Sequence, residues 1–155
     1  MLTALIDYES GNLHSALKAF EKISSENSLG SVTITNDPEI ISNADRLVLP
    51  GDGAFPACKA ALEKSEVFEA LKHAVLAKRR PFLGICVGMQ LMAKKGFEFE
   101  PTNGLNWING QVERIQLDDP SLKIPHMGWN EIAIDYDHAI LKDIKNGDHF
   151  YFCLL

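Results

Sequence analysis

The stretch Pro81-Phe82-Leu83-Gly84-Ile85-Cys86-Val87-Gly88-Met89-Gln90-Leu91-Met92 decides how the rest of the chain is read. Residues 81–85 form a short apolar run with its proline at the first position, where a strand tolerates one, and they predict a buried strand. The segment Met89-Gln90-Leu91-Met92-Ala93-Lys94-Lys95 predicts a helix. Between them stands Gly84-x-Cys86-x-Gly88, a candidate nucleophile on a sharp strand-to-helix turn. Glycines permit the cramped backbone there, and the first N–H groups of the following helix favour a thiolate and a developing oxyanion. Taken alone the motif leaves two readings open, since most free cysteines are inert core. The strand before Cys86 and the helix after it favour the nucleophile.

Working outward, strands and helices alternate. Leu2 to Ile6 is a compact apolar run, followed by a polar loop, Asp7-Tyr8-Glu9-Ser10-Gly11-Asn12. Leu13, Ala16, Leu17, Phe20 and Ile23 repeat with helical spacing, and Asn12 is placed to cap that helix. Val32-Thr33-Ile34-Thr35 predicts a second strand, and Asp37-Pro38 opens a short helix through Ile41. Arg46-Leu47-Val48-Leu49 predicts a third strand ending in a glycine-rich loop, Pro50-Gly51-Asp52-Gly53-Ala54-Phe55. One or two helices follow between Cys58 and Lys78, with Phe68, Leu71 and Val75 on one face. This alternation predicts an α/β fold: a mostly parallel sheet with helices on both faces, in which residues 7–12, 50–55 and 86–90 converge beyond the carboxyl ends of the strands.

Beyond Lys95 the pattern changes. Strand-like residues 107–115 and 124–134 flank the polar loop Asp118-Asp119-Pro120-Ser121 and predict a smaller antiparallel add-on, with Asn109-Gly110 as a turn or bulge. A short helical turn is expected over residues 138–144, then a strand at His149-Phe150-Tyr151-Phe152-Cys153.

The 155 residues predict one domain, with 46% hydrophobic and 23% charged residues as in a soluble globular protein. A net charge of −6 and the lack of a basic patch with interleaved aromatics argue against a nucleic-acid partner. Lys78-Arg79-Arg80 reads as a solvated helix end. No apolar run reaches membrane-spanning length, and residues 1–7 lack the pattern of a signal peptide. Cys58, Cys86 and Cys153 show no metal spacing and suit a reducing cytoplasmic setting, with Cys58 read as packing.

Four segments carry a specific resemblance: Ile6-Asp7-Tyr8 with Ser10-Gly11-Asn12-Leu13; Leu49-Pro50-Gly51 with Gly53-Ala54-Phe55; residues 81–91; and Ile124-Pro125-His126-Met127-Gly128-Trp129-Asn130. Through them the chain resembles the triad (class I) glutamine amidotransferases, which have a flavodoxin-like fold. Within that class it is similar to the glutaminase subunits of imidazole glycerol phosphate synthase in histidine biosynthesis. The resemblance implies that Cys86 attacks the side-chain amide of L-glutamine, giving a glutamyl thioester and ammonia, and that water then releases glutamate. It implies a partner, a (β/α)8-barrel cyclase subunit that takes up the ammonia through a channel, and neither a metal nor an organic cofactor. The oxyanion hole would draw on the N–H of Val87 and one from Gly51-Asp52-Gly53, and Gln90 would hold the substrate. Asn12, Met127, Gly128 and Trp129 would lie at the partner interface. Read without the resemblance, Trp129 is core and His126 a structural histidine.

The sequence departs from the family in three places. The family's triad needs a histidine followed two residues later by a glutamate, and His126, His138 and His149 are followed at that spacing by Gly128, Ile140 and Tyr151. Family members continue past the Tyr151-Phe152 position, so the domain is expected to be incomplete at its C-terminus, as after a frameshift or early stop. The competing reading is therefore a catalytically dead remnant that keeps partner binding. Its apolar end, Phe150 to Leu155, is expected to be exposed and sticky. A third reading, a different cysteine hydrolase pairing Cys86 with His126, accounts for fewer of the matched segments. Glu9 stands where the family usually has glycine, and Asp52 where a small apolar residue is expected.

Overall fold

The structure, a computed structural model, describes residues 1–119 and 121–154. Pro120 of the expected polar loop and Leu155 of the expected apolar end lie outside the described residues. Two compact units are distinguished, Met1–Glu113 and Arg114–Leu155.

The first unit is built on a four-stranded parallel sheet. Its strands are β1 (Leu2–Ile6), β2 (Ser31–Thr35), β3 (Arg46–Gly51) and β4 (Phe82–Cys86), in the order β2-β1-β3-β4. That order reverses direction between β1 and β3, the switch point where open α/β sheets place their ligand crevice. Ala4, Leu5, Ile6, Leu47, Val48 and Leu49 are almost fully buried, which explains the unbroken apolar runs of β1 and β3.

Helix α1 (Leu13–Asn27) packs on β2, and Asn12 caps it as expected, its side chain accepting the Ser15 N–H at 3.1 Å. The buried stripe of α1 ends at Ser24 rather than Ile23, which is half exposed; the Ser24 hydroxyl donates to the Gly30 carbonyl at 2.7 Å. Helix α2 (Pro38–Asn43) is capped by Asp37, which accepts the Glu39 N–H at 2.8 Å. Helix α3 (Phe55–Lys64) begins three residues before the expected Cys58. Helix α4 (Phe68–Lys72) runs on into a π-helical turn, His73–Ala77, with Leu71 and Ala74 buried.

Two local expectations are corrected. Strand β3 continues through Pro50 and Gly51, read above as loop. Pairing with β1 stops at Val48 while pairing with β4 runs on to Gly51, so the missing N–H of Pro50 interrupts no bond to β1. The helix after Cys86 is one turn long, α5 (Val87–Gln90), where residues 89–95 had been expected to be helical. Leu91 and Met92 instead give their carbonyls to Leu105, Trp107 and Ile108 at 2.7–2.9 Å, and the chain proceeds as strand β5 (Ala93–Gly96). Tertiary pairing here overrides helical propensity.

Strand β5 pairs antiparallel with β6 (Thr102–Asn103) and parallel with β7 (Ile108–Val112). The register jumps from Ala93↔Ile108 to Lys95↔Gln111, so β7 carries an extra residue at Asn109-Gly110, a bulge as expected. The expected antiparallel add-on of residues 107–115 with 124–134 does not form: β7 is taken by β5 in parallel, and the antiparallel pair is β8 (His126–Glu131) with β9 (His149–Leu154), in the second unit. A 3-10 turn, Ala139–Leu141, is capped by His138, whose Nδ1 accepts the Ile140 N–H at 3.2 Å. Among the described residues no helix is long and apolar enough to cross a membrane.

Candidate active site

Cys86 ends β4 and precedes α5 with φ 55° and ψ −120°. That backbone is costly for a residue with a Cβ, on the order of 1–3 kcal/mol, and such strain gathers where geometry serves chemistry. The turn leaves the thiol exposed.

The flanking glycines are fixed by contact. A Cβ on Gly88 would overlap the Leu49 carbonyl oxygen, and one on Gly84 would lie 2.5 Å from the Met89 Cα. The elbow is thus wedged against β3. Gly51 pairs with Cys86 across the β3–β4 ladder, and a Cβ on Gly51 would sit 2.5 Å from the Gly88 nitrogen. Gly51, Cys86, Val87 and Gly88 therefore meet at one point. Val87 is buried, and its N–H, at the first helical position, has no acceptor within the helix. Gln90 closes the single turn of α5 and is partly buried. A four-residue helix has a smaller dipole than the longer one expected, so the local N–H groups carry the anion-binding argument.

The loop after β3 is anchored from below. Asp52 donates its N–H to the Ser10 hydroxyl oxygen at 3.2 Å. Its carbonyl accepts from the Ser10 hydroxyl at 2.9 Å and from the Cys58 thiol at 3.4 Å. Ser10 Oγ and Cys58 Sγ are 3.2 Å apart. The Asp52 N–H is thereby committed to Ser10. The Asp52 carbonyl faces Ser10 and Cys58, so the Gly53 N–H of the same trans peptide points the opposite way. Gly53 has φ +111°, which favours glycine. Asp52 is exposed, so its carboxylate sits in water. Glu9 adopts φ 65°, which accounts for a preference for glycine at that position.

Four residues given no catalytic part above belong to this neighbourhood: Tyr8, Ser10, Cys58 and Glu98. Tyr8 is buried and its hydroxyl has no hydrogen-bond partner. Burial pushes its phenol up to about 12, with smaller upward contributions from Cys58 and Cys86 and an opposing, lowering one from Ser10. Glu98 accepts the Phe55 N–H at 2.7 Å. Cys58 packs as expected but also hydrogen-bonds. These contacts span up to 43 residues, and no local pattern signals them.

Asn12 is the N-cap of α1. Met127, Gly128 and Trp129 lie on β8 in the second unit, where Met127 and Trp129 are exposed, so the reading of Trp129 as core does not hold for this strand. His126, the alternative base, lies on the same strand.

A parallel sheet with a strained cysteine elbow defines a class of thiol-dependent α/β enzymes, and the sequence comparison names it. The profile of the class-I glutamine amidotransferases matches residues 4–151, and the chain belongs to that family. Its relatives include imidazole glycerol phosphate synthase subunit HisH of Cereibacter sphaeroides, 54% identical over 153 residues, covering 98% of this chain and 72% of the relative. The subunit of the same name from Ruegeria pomeroyi is 56% identical, with 98% and 72% covered. That from Caulobacter vibrioides is 49% identical over 150 residues, with 96% and 70% covered.

Proposed function

We propose that this chain is the glutaminase subunit of an imidazole glycerol phosphate synthase, acting in the cytoplasm in histidine biosynthesis. The observation that carries the reading is the backbone of Cys86, φ 55° and ψ −120°, held between two glycines that accept no Cβ. The identities of 49–56% to subunits of that name support the specific assignment.

The Cys86 sulfur attacks the side-chain amide carbon of L-glutamine, and the carbonyl oxygen becomes an oxyanion. The Val87 N–H and the Gly53 N–H are the donors for that charge, since the Asp52 N–H is taken by Ser10. Collapse expels ammonia and leaves a glutamyl thioester, which water hydrolyses to glutamate. Gln90 holds the substrate beside the elbow. A (β/α)8-barrel cyclase subunit receives the ammonia, and Asn12, Met127, Gly128 and Trp129 face it. The reading requires no nucleic acid and no membrane, and the compartment follows from the pathway.

For a polypeptide limited to these 155 residues the competing reading is binding without chemistry, because no His-x-Glu pair follows Cys86. Loss of the base of a catalytic triad costs about 10⁴–10⁶ in rate. The test is glutamine-dependent ammonia release by the chain mixed with a cyclase subunit and its nucleotide ligand, with Cys86→Ala as control. Release lost in the control supports chemistry at Cys86. A folded, cyclase-bound chain with no release above control assigns it to binding alone. A chain that fails to bind the cyclase removes the subunit assignment.

A further inference from the structure

Tyr8 carries a hydroxyl that the fold does not need for its own sake. The residue is almost fully buried in the main apolar cluster, with Ile6, Leu49 and Phe55. Its oxygen is buried and has no hydrogen-bond partner. The polar groups around it are committed elsewhere. The Ser10 hydroxyl donates to the Asp52 carbonyl and accepts the Asp52 N–H, and the Cys58 thiol donates to the same carbonyl. Phenylalanine would bury the same ring without stranding a donor, so the oxygen is present at a desolvation cost. Groups held at such a cost gather where geometry serves chemistry.

The oxygen ends against the backbone that joins the two halves of the oxyanion site. A Cβ built on Gly51 would lie 3.0 Å from the Tyr8 oxygen, 3.0 Å from the Val87 carbonyl carbon and 2.5 Å from the Gly88 nitrogen. The notch beside Gly51 is therefore closed by the phenol and the elbow peptide together. The same loop grips the preceding residue, since a Cβ on Gly11 would lie 2.9 Å from the Pro50 Cβ. Gly51 pairs with Cys86 in the β3–β4 ladder and stands two residues before Gly53. Any play at Gly51 is thus passed to the Val87 and Gly53 N–H groups at once.

We propose that Tyr8 is a positioning residue for glutamine chemistry, its oxygen a strut that fixes Gly51 against the Val87–Gly88 peptide. Buried as it is, the phenol touches no substrate and moves no proton. Without the oxygen, the atoms around the small gap beside Gly51 lose their contacts on that side, and the spacing of the two donors loosens. The inference rests on the glutaminase reading given above.

The test uses the intact chain, Tyr8→Phe, and a chain with 4-fluorophenylalanine in place of Tyr8. Fluorine fills the place of the oxygen and brings no proton to be left unpaired. Two electrophiles are compared by mass spectrometry of the Cys86 peptide. A chloromethyl ketone analogue of glutamine reacts through an oxyanion: an S–C bond forms, the C–Cl bond breaks, chloride leaves and the thiol proton passes to water. Iodoacetamide alkylates the same sulfur without an oxyanion. Tyr8→Phe is expected to slow the chloroketone about fivefold relative to iodoacetamide, while its melting temperature stays level or rises. The fluorinated chain is expected to recover most of that rate. An unchanged reagent ratio in Tyr8→Phe overturns the proposal. So does a fluorinated chain as slow as Tyr8→Phe, which would assign the effect to the O–H proton. A lower melting temperature in Tyr8→Phe overturns it too, since the hydroxyl would then have a partner in solution. An intact chain that reacts no faster with the glutamine analogue than with chloroacetone removes the glutaminase reading instead. In that case the chloroacetone-to-iodoacetamide ratio across the same chains still decides whether Tyr8 sets the donors.

Discussion

The elbow around Cys86 and the hairpin of β8 and β9 hold their shapes by opposite means. At the elbow, backbone is pressed against backbone: Gly88 lies against the Leu49 carbonyl, Gly51 against Gly88, and the residues beneath are buried. In the hairpin, Met127, Trp129, Phe150, Tyr151 and Leu154 are each at least 40% exposed, and the strands are held by their ladder and by cross-strand pairs. Trp129 meets Tyr151 edge-to-face at 5.7 Å between ring centroids. Strain is stored where packing is dense enough to pin it, and the exposed aromatics gather where no such packing holds them.

The largest expected effect is at Phe55, buried at the start of α3 under Gly96. Phe55→Ala should lower unfolding stability by about 3–5 kcal/mol in urea titration. A loss below about 1 kcal/mol would mean the loop start is not pinned as described. Gly88→Ala should cost about 3 kcal/mol, because the new methyl meets a backbone carbonyl that has no room to yield. Its melting temperature should fall well below that of Gly110→Ala, since a Cβ at Gly110 meets nothing within 4 Å.

Tyr8→Phe works in the other direction. Deleting a buried hydroxyl that has no partner should leave neutral-pH stability unchanged or raise it by up to about 1 kcal/mol. The alkaline limb gives a second reading. Folding raises the Tyr8 phenol from 10.0 to about 12, so between those values the unfolded chain has lost the proton and the folded chain keeps it. Stability should therefore fall with rising pH across that interval, and Tyr8→Phe should remove that part of the fall. The smallest effect belongs to the hairpin. Trp129→Ala should cost under about 1 kcal/mol, the scale of one exposed aromatic cross-strand pair. A loss like that of Phe55→Ala would show that Trp129 is buried against something in solution.

The two regions were also unequally legible. The apolar runs of β1 and β3 and the caps Asn12 and Asp37 are local signals, and the structure carries them where the residues indicate; β4 forms where expected but is an edge strand with no buried residue and an exposed Leu83, so its expected burial does not hold. The helix expected after Gln90 failed because residues 89–95 have helical propensity, while Leu91 and Met92 are claimed by Leu105, Trp107 and Ile108. Ile23 gave way to Ser24 because the buried stripe continues from Phe20 by four residues, and the serine hydroxyl finds the Gly30 carbonyl.

The sequence by itself determined the parallel sheet, the cysteine between glycines and the resemblance to class-I amidotransferases, because each is written in adjacent residues. Only the tertiary structure decided that Asp52 is tied to Ser10 and Cys58, that Tyr8 lies buried without a partner, and that Glu98 caps α3. Those contacts join residues up to 43 positions apart, and a carboxylate or hydroxyl carries no local mark of the N–H it will meet. Propensity and periodicity act over one or two turns, whereas the position of a hydrogen-bond donor is set by how the sheet and helices pack.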